Sequence, residues 1–424
     1  MKNEFCDCED DGFCPRYKKE MSGRLRQICQ GENVDAGTAA NYRNLWLSDV
    51  GIDPQGNTRC PFLGNKVKDA EGETVKRECI PCGGKLRMVF KCNHPARQPD
   101  EVMLTDCGTC EYRPRDISKA RALILRNHLS PGDVLVMSAA IHSLHKQHPG
   151  KFVTAVDTTC NAVYEYNPDV IPIEKAQELN AELIETHYPA INQSNQRGIH
   201  FMQGYCEFFE DALGVRVPLL TNRPHVYLSR QERDWMDQVQ QDIGRRQHFW
   251  IVNAGRKGDY TTKHWGTDNF QRVIDLLRGR VIFVQVGAAE HHHPPLRNVI
   301  NFIGKTDSRQ LIRLVHHSDG ILCGVTFMQH LAAAFEKPCM CILGGREAVT
   351  WNQYPRQQTF HTVGLLPCSK GGGCWKSRVV ALGDDDEKDK SLCDNPIIGE
   401  EPIGKCMALI RPEEIAEKIL LTQS

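Results

Sequence analysis

From about Arg121 to Phe360, short apolar runs alternate with amphipathic stretches of helical period. No other feature of the chain constrains its fold as strongly. Between 121 and 228, RALILRN and KFVTAVDT read as buried strands. GDVLVMSAAIHSLHKQHP follows a Pro-Gly turn and sets Val134, Ile141 and Leu144 at helical spacing. HFMQGYCEFFEDALG gathers Phe201, Tyr205, Phe208, Phe209 and Leu213 on one side of a helix, closed by Gly214 as a C-cap. From about 229 to 360 the alternation is cleaner. FWIVNAG, RVIFVQVG, VINFIG, ILCG and PCMCILGG read as strands, and TDNFQRVIDLLRG, TDSRQLIRLVHHSDG and TFMQHLAAAFEK as helices. The first of these helices is expected to be capped by Thr267 or Asp268 and stopped at Gly279, and the second to open on a Thr or Asp cap. The pattern predicts an α/β fold with parallel, doubly wound sheets. Two such blocks, joined by the exposed segment LSRQERDWMDQVQQD, predict two Rossmann-like domains facing across a cleft. Ligands in such folds bind beyond the carboxyl ends of the strands. The expected boundaries are 1–113 for a Cys-rich region, 114–228 and 229–364 for the two α/β domains, and 365–424 for a four-cysteine finger with a C-terminal helix.

Composition excludes several function classes. Lys and Arg number 52 against 53 Asp and Glu, so global charge does not point to nucleic acid or an anionic membrane surface. No apolar run approaches the ~18 residues of a membrane helix. The opening MKNEFCDCEDDGFC lacks the apolar core of a signal peptide, so a cytoplasmic location is expected.

The 19 cysteines are unevenly placed: ten precede Arg113 and four follow Pro367. Disulfides are not expected in a reducing compartment. Cys160, Cys206, Cys323, Cys339 and Cys341 stand in apolar or helical contexts and read as buried small hydrophobes. The two clusters read as metal sites. Cys79/Cys82 and Cys107/Cys110 are paired Cys-x-x-Cys knuckles separated by 24 residues, the pattern of a tetrahedral thiolate site for zinc or iron. Apolar residues are sparse there, so metal would supply much of the folding energy. The same region is locally basic, at Arg24, Arg26, Lys66, Lys68, Lys76, Arg77, Lys85, Arg87 and Lys91. Docking of an acceptor or partner is the first reading of this region. Nucleic-acid contact is the second, since interleaved aromatics for base stacking are missing.

Three loops follow strands of the second block: NAGRKGDYTTKHW with Lys263, QVGAAEHHHPP with Glu290, and CGVTFMQHLAAA with Thr326 and His330. A lysine and helix N-termini converging at strand ends suit a diphosphate, the lysine as a point charge and the helix start as N–H donors. Taken singly, each residue has a plainer reading: Lys263 as a solvated surface lysine, His330 as a packed core histidine, and Asp133 as a helix cap. His291 to His293 read as an exposed loop rather than a metal site.

Together these segments resemble glycosyltransferase family nine, the heptosyltransferases of the GT-B fold. The resemblance is carried by KHW after the first strand of the block, VQVG, GKTDSRQLIRLV, and GVTFMQHLAAAFEKPCMCILGG, and in the first block by GDV at Asp133. It spans roughly 121–364. The first domain would then take the acceptor and the second a nucleotide-sugar. The resemblance implies Asp133 as general base, Lys263 on the departing diphosphate, Thr326 on phosphate, His330 against the donor and Glu290 on the donor ribose. It implies ADP-heptose as donor, inversion at the sugar, a hydroxyl acceptor on a protein Ser/Thr or a glycan, and no catalytic metal. The family's Asp-Thr-Gly is Val325-Thr326-Phe327 here, which leaves the donor open to another nucleotide-sugar. V-T-F, together with Cys368, Cys374, Cys393 and Cys406, resembles the protein-modifying branch, the autotransporter heptosyltransferases with a four-cysteine metal finger. A finger of this kind would brace the donor domain or a homo-oligomer contact. The rival from another class is a zinc-ribbon adaptor or nucleic-acid-binding protein with a secondary or inactive GT-B half.

Overall fold

The computed structural model describes residues 119–422 except 191–192, 235–236, 257–262, 375–392, 394 and 398–399, together with four short strands nearer the N-terminus. The chain divides into two compact units, Met1–Asp116 and Ile117–Ser424. In the first unit Phe13–Cys14 pairs antiparallel with Lys19–Glu20, and Val89–Lys91 with Glu101–Met103. The expected metal ligands Cys79, Cys82, Cys107 and Cys110 lie outside the described residues.

The second unit contains two parallel sheets. The first is built from β1 (Arg121–Asn127), β2 (Phe152–Thr158) and β3 (Glu182–Glu185) in the order β2-β1-β3. The helix α1 (Pro131–Gln147) follows β1, and α2 (Phe201–Leu213) packs beside it. Leu135, Met137, Ala139 and Ala140 are buried along with the expected Val134, Ile141 and Leu144. A helix apolar nearly all round has to lie between layers rather than on the surface, and α1 does. Gly214 ends α2 in the left-handed conformation, as its position in the sequence predicts.

The second sheet has six strands: β4 (Trp250–Asn253), β5 (Phe283–Gly287), β6 (Ile300–Ile303), β7 (Gly320–Gly324), β8 (Cys339–Gly344) and β9 (Gln357–His361). Their order is β6-β5-β4-β7-β8-β9, and every neighbouring pair is parallel. The connecting helices are α3 (Thr267–Leu276), α4 (Ser308–His317) and α5 (Phe327–Ala334). A short α6 (Val349–Asn352) follows β8, and α7 (Pro412–Leu421) packs on α3. β7 and β8 are buried along their whole length, which explains why they read as continuous apolar runs instead of alternating ones. All five scattered cysteines are buried.

Two helix starts were open in the sequence, and they resolve differently. Asp307 caps α4 in a full capping box with Gln310. For α3 the expectation is corrected: Gly266, at φ +96°, is the N-cap, and Thr267 is already helical. The carboxylate of Glu401 does the capping instead, accepting from the Thr267 N–H at 2.6 Å and from its hydroxyl at 2.9 Å. A carboxylate more than a hundred residues away leaves no local capping signature.

One core runs from the first sheet through α1 and α5 into the second sheet. The halves also meet where Phe201 of α2 stacks on Trp351 of α6 at 4.8 Å. Arg309 of α4 forms a third junction, donating to the carbonyls of Ala162 and Tyr227 and pairing with Glu232 at 2.6 Å. Among the described residues, no helix is long and apolar enough to cross a membrane.

Candidate active site

The start of α1 faces α5. Ser130 is the N-cap and makes no side-chain cap, Pro131 opens the helix, and Asp133 is its third residue. Asp133 is therefore not the cap. Its carboxylate, nearly buried, accepts a hydrogen bond from the Tyr188 hydroxyl at 2.6 Å. Tyr188 is itself set by stacking on Phe201. Gly132 lets the helices close up: a Cβ there would lie 3.1 Å from Cδ2 of His330. The residue before the expected base thus packs against the histidine of the second half.

His330 is buried on α5, with Nδ1 2.8 Å from the Tyr354 hydroxyl. Burial pushes its pKa down to about 3, helped by His200 and Lys263 and opposed by Glu347. The imidazole is neutral at physiological pH, so it offers a hydrogen bond to a ligand rather than a charge. The charge comes from Lys263, at the end of the loop after β4. Its Nζ lies 2.7 Å from Oε1 of Glu347. Burial raises the Glu347 pKa, but Lys263 and Arg346 outweigh it and hold the carboxyl below its ordinary range. Asn352 donates to the other carboxylate oxygen. Lys263 is therefore not the solvated surface lysine of the plainer reading.

Thr326 is the N-cap of α5, but its hydroxyl does not cap. It donates across the sheet end to Oδ1 of Asn253, at 3.4 Å, while Asn253 donates to the carbonyl of Val286. Val325 belongs to the core. Glu290 is exposed on the turn after β5. The neighbouring His293 corrects the exposed-loop reading of the three histidines. Its ring fills the space over Gly255 and Gly287, where a Cβ would come within 1.9 and 2.4 Å of it. Burial pushes its pKa down to about 4. The loop can pack inward there because those two strand-end residues have no side chains.

Sequence reasoning missed Tyr188, Tyr354 and Glu347. Glu347 had a usable signal, since it follows the glycines that end β8, at the same level of the sheet as the other loops. The two tyrosines had none, because each acts through a partner far away in sequence.

Cys368, Cys374, Cys393 and Cys406 all lie in the segment beyond β9. The sulfurs of Cys393 and Cys406 both flank Gly404, and the Cys374 N–H donates to the carbonyl of Gly345 at 3.2 Å. Burial pushes the Cys374 thiol up to about 11; Arg346 opposes this and the other three cysteines add to it. Among the described residues, no group of three or more His, Cys, Asp or Glu side chains is set to hold a metal ion.

Residues 188–371 match the family model for glycosyltransferase family 9 (heptosyltransferase). The glycosyltransferase family 9 structure from Veillonella parvula DSM 2008 is 15% identical, with 72% of this chain and 100% of that one covered at a TM-score of 0.50. The dodecameric iron-containing heptosyltransferase TibC of enterotoxigenic E. coli H10407, in complex with ADP-D-β-D-heptose, is 14% identical, with 80% and 82% covered at 0.51. The ADP-heptose lps heptosyltransferase II of E. coli is 12% identical, with 71% and 98% covered at 0.44. No curated protein matches the chain. The first two likenesses establish the fold, which is the GT-B type that the family resemblance implies.

Proposed function

Because the chain carries a glycosyltransferase family 9 domain and is a glycosyltransferase, we propose that it transfers heptose from ADP-heptose, with inversion, to a hydroxyl acceptor. The reading rests on one arrangement. Lys263, ion-paired to Glu347, and the neutral His330 meet at the carboxyl ends of β4, β7 and β8, and Gly132, the residue before Asp133, packs against His330 from the other half. Asp133 takes the proton of the acceptor hydroxyl. The acceptor oxygen attacks the anomeric carbon as the bond from that carbon to the diphosphate oxygen breaks, and the electron pair leaves with ADP. Lys263 neutralises the departing diphosphate, passing from Glu347 to the phosphate oxygens. His330 and the first N–H groups of α5 behind Thr326 bind the donor, and Glu290 reaches its ribose from the turn after β5.

ADP-D-β-D-heptose is the ligand of the TibC structure, which shares this fold, and that supports the choice of donor. The Val325-Thr326-Phe327 sequence and the four C-terminal cysteines favour a protein Ser or Thr over a glycan as acceptor. A structural iron or zinc at Cys368, Cys374, Cys393 and Cys406 belongs to the same proposal. All four donors are sulfur, the ligand type both metals accept, and the sulfurs of Cys393 and Cys406 both flank Gly404.

Thermal shift against a panel of nucleotide-sugars tests the donor, since a ligand stabilises the folded state by RT ln(1 + [L]/Kd). ADP-heptose is expected to raise the melting temperature more than UDP- or GDP-sugars. Asp133→Asn is expected to keep that shift and lose transfer by a factor on the order of 100 or more, while Lys263→Ala loses the shift. Stabilisation by a UDP-sugar alone would overturn the donor. Transfer that survives both substitutions would overturn the placement of the site.

A further inference from the structure

The turn that carries Lys263 is held from behind by residues far along the chain. In the Lys263-His264-Trp265 triplet, each side chain has a distant partner. Lys263 pairs with Glu347. The Trp265 indole, fully buried, donates to the carbonyl of Ile410 at 3.3 Å. Nε2 of His264, also buried, lies 2.6 Å from Oε1 of Glu401. The same carboxylate receives both donors of Thr267 at the start of α3, and Nε2 of His292 lies 3.4 Å from it. Glu401 therefore ties the residue after Lys263, the first turn of α3 and the loop after β5 to a single point. That point belongs to the C-terminal segment, between Cys393 and Cys406.

Glu347, the other end of the ion pair, is braced by the same segment. A Cβ on Gly373 would fall 2.3 Å from the carbonyl oxygen of Arg346, and Asn195 donates to the Gly373 carbonyl at 3.0 Å. The loop between Cys368 and Cys374 thus presses on the residue before Glu347.

We propose that Glu401 is a positioning residue for Lys263: by bridging His264 and the N-terminus of α3, it aims the ammonium group at the place where a nucleoside diphosphate leaves. This rests on the reading of Lys263 as the group that binds the diphosphate. The physical reason is the length of the side chain. A lysine ammonium is a point charge on a flexible four-carbon stem, so its mean position follows its backbone, and a displacement of about 1 Å at a reacting centre is costly. The backbone of Lys263 rests on the end of β7, where a Cβ on Gly324 would lie 3.4 Å from its carbonyl oxygen. The clasp on His264 holds it there.

A double-mutant cycle on the full-length chain tests this, with ADP itself as probe and its Kd measured by calorimetry. Glu401→Gln, which keeps the shape and removes the charge, is expected to weaken ADP about tenfold, and Lys263→Ala at least as much. The double variant should bind no more weakly than Lys263→Ala alone, because the two residues act as a unit. Glu401→Asp should recover part of the loss. Melting temperatures are measured for every variant, so that misfolding is seen directly. If Glu401→Gln leaves Kd unchanged while Lys263→Ala weakens it, the positioning role is wrong and the diphosphate reading stands. Full multiplication of the two losses would also overturn it, by showing that Glu401 acts independently of Lys263. If Lys263→Ala has no effect on Kd, the reading of Lys263 fails and the positioning role fails with it.

Discussion

At the scale of single residues, the site works through pairs in which one member sets the other. The clearest is Tyr188 and Asp133. The hydroxyl donates to the carboxylate, while the stack on Phe201 fixes the ring. If Asp133 is the base, Tyr188→Phe leaves the carboxylate present but less well aimed. A hydrogen bond to a charged group contributes about 1.5–3 kcal/mol. The expected result is a fall in kcat of about tenfold or somewhat more, with the donor KM unchanged and folding intact. Steady-state kinetics with varied donor check it, and a changed KM with constant kcat would assign Tyr188 to donor binding instead. Asp133, Lys263 and His330 could be proposed from the sequence because each stands near a strand end or helix start that the local pattern marks. The place of Glu347 after the glycines that end β8 was marked, but its role and that of Glu401 were not. What they do depends on which distant loops the fold brings beside them, and spacing along the chain does not encode that.

At the scale of elements, legibility follows the range of the interaction. Most strands and helices of the second unit were readable because apolar periodicity is local; β3 and β9, each with a single buried residue, carried no such pattern. The cap of α4 was readable for the same reason, since Asp307 and Gln310 are three residues apart and satisfy each other's backbone groups. The start of α3 was not, because its acceptor comes from Glu401. The contrast predicts different consequences for the two helices. Asp307→Ala removes a local cap from an exposed helix end and should cost about 1 kcal/mol of stability. Chemical denaturation measures it, and nucleotide binding should not change, because Asp307 and Gln310 satisfy each other's backbone groups within the cap. A loss of ADP affinity comparable to that of Lys263→Ala would show that α4 also belongs to the site. The α3 cap, by contrast, cannot be removed without disturbing the turn that carries Lys263.

At the scale of the whole molecule, the second unit folds around histidines that burial keeps neutral. Burial pushes His200 down to about 4, His225 to about 3, His293 to about 4, His316 to about 4 and His330 to about 3. They are spread over both halves of the second unit. A histidine in the unfolded chain takes up its proton near pH 6.5, whereas these five in the folded state do so only at about 3 to 4. Above pH 6.5 neither state is charged and stability does not depend on these groups. As the pH falls below 6.5, the unfolded chain binds protons that the folded chain refuses, and stability declines until the folded-state pKa is reached. Each group contributes at most about 1.4 kcal/mol per pH unit to that decline. The carboxylates act elsewhere on the scale. Burial raises the Glu401 pKa, but His264 and Thr267 outweigh it and bring the group to about 2, so its contribution is lost only below the ordinary carboxyl range. The thermal midpoint should therefore be level from pH 8 to 7 and fall steadily between about 6.5 and 5, before any paired carboxylate is protonated. His225→Gln should make that fall shallower without moving the plateau, since the glutamine has no proton to gain. A midpoint that stays constant down to pH 5 would mean that these imidazoles reach solvent in the folded protein, which would also undercut the neutral His330 on which the donor site depends.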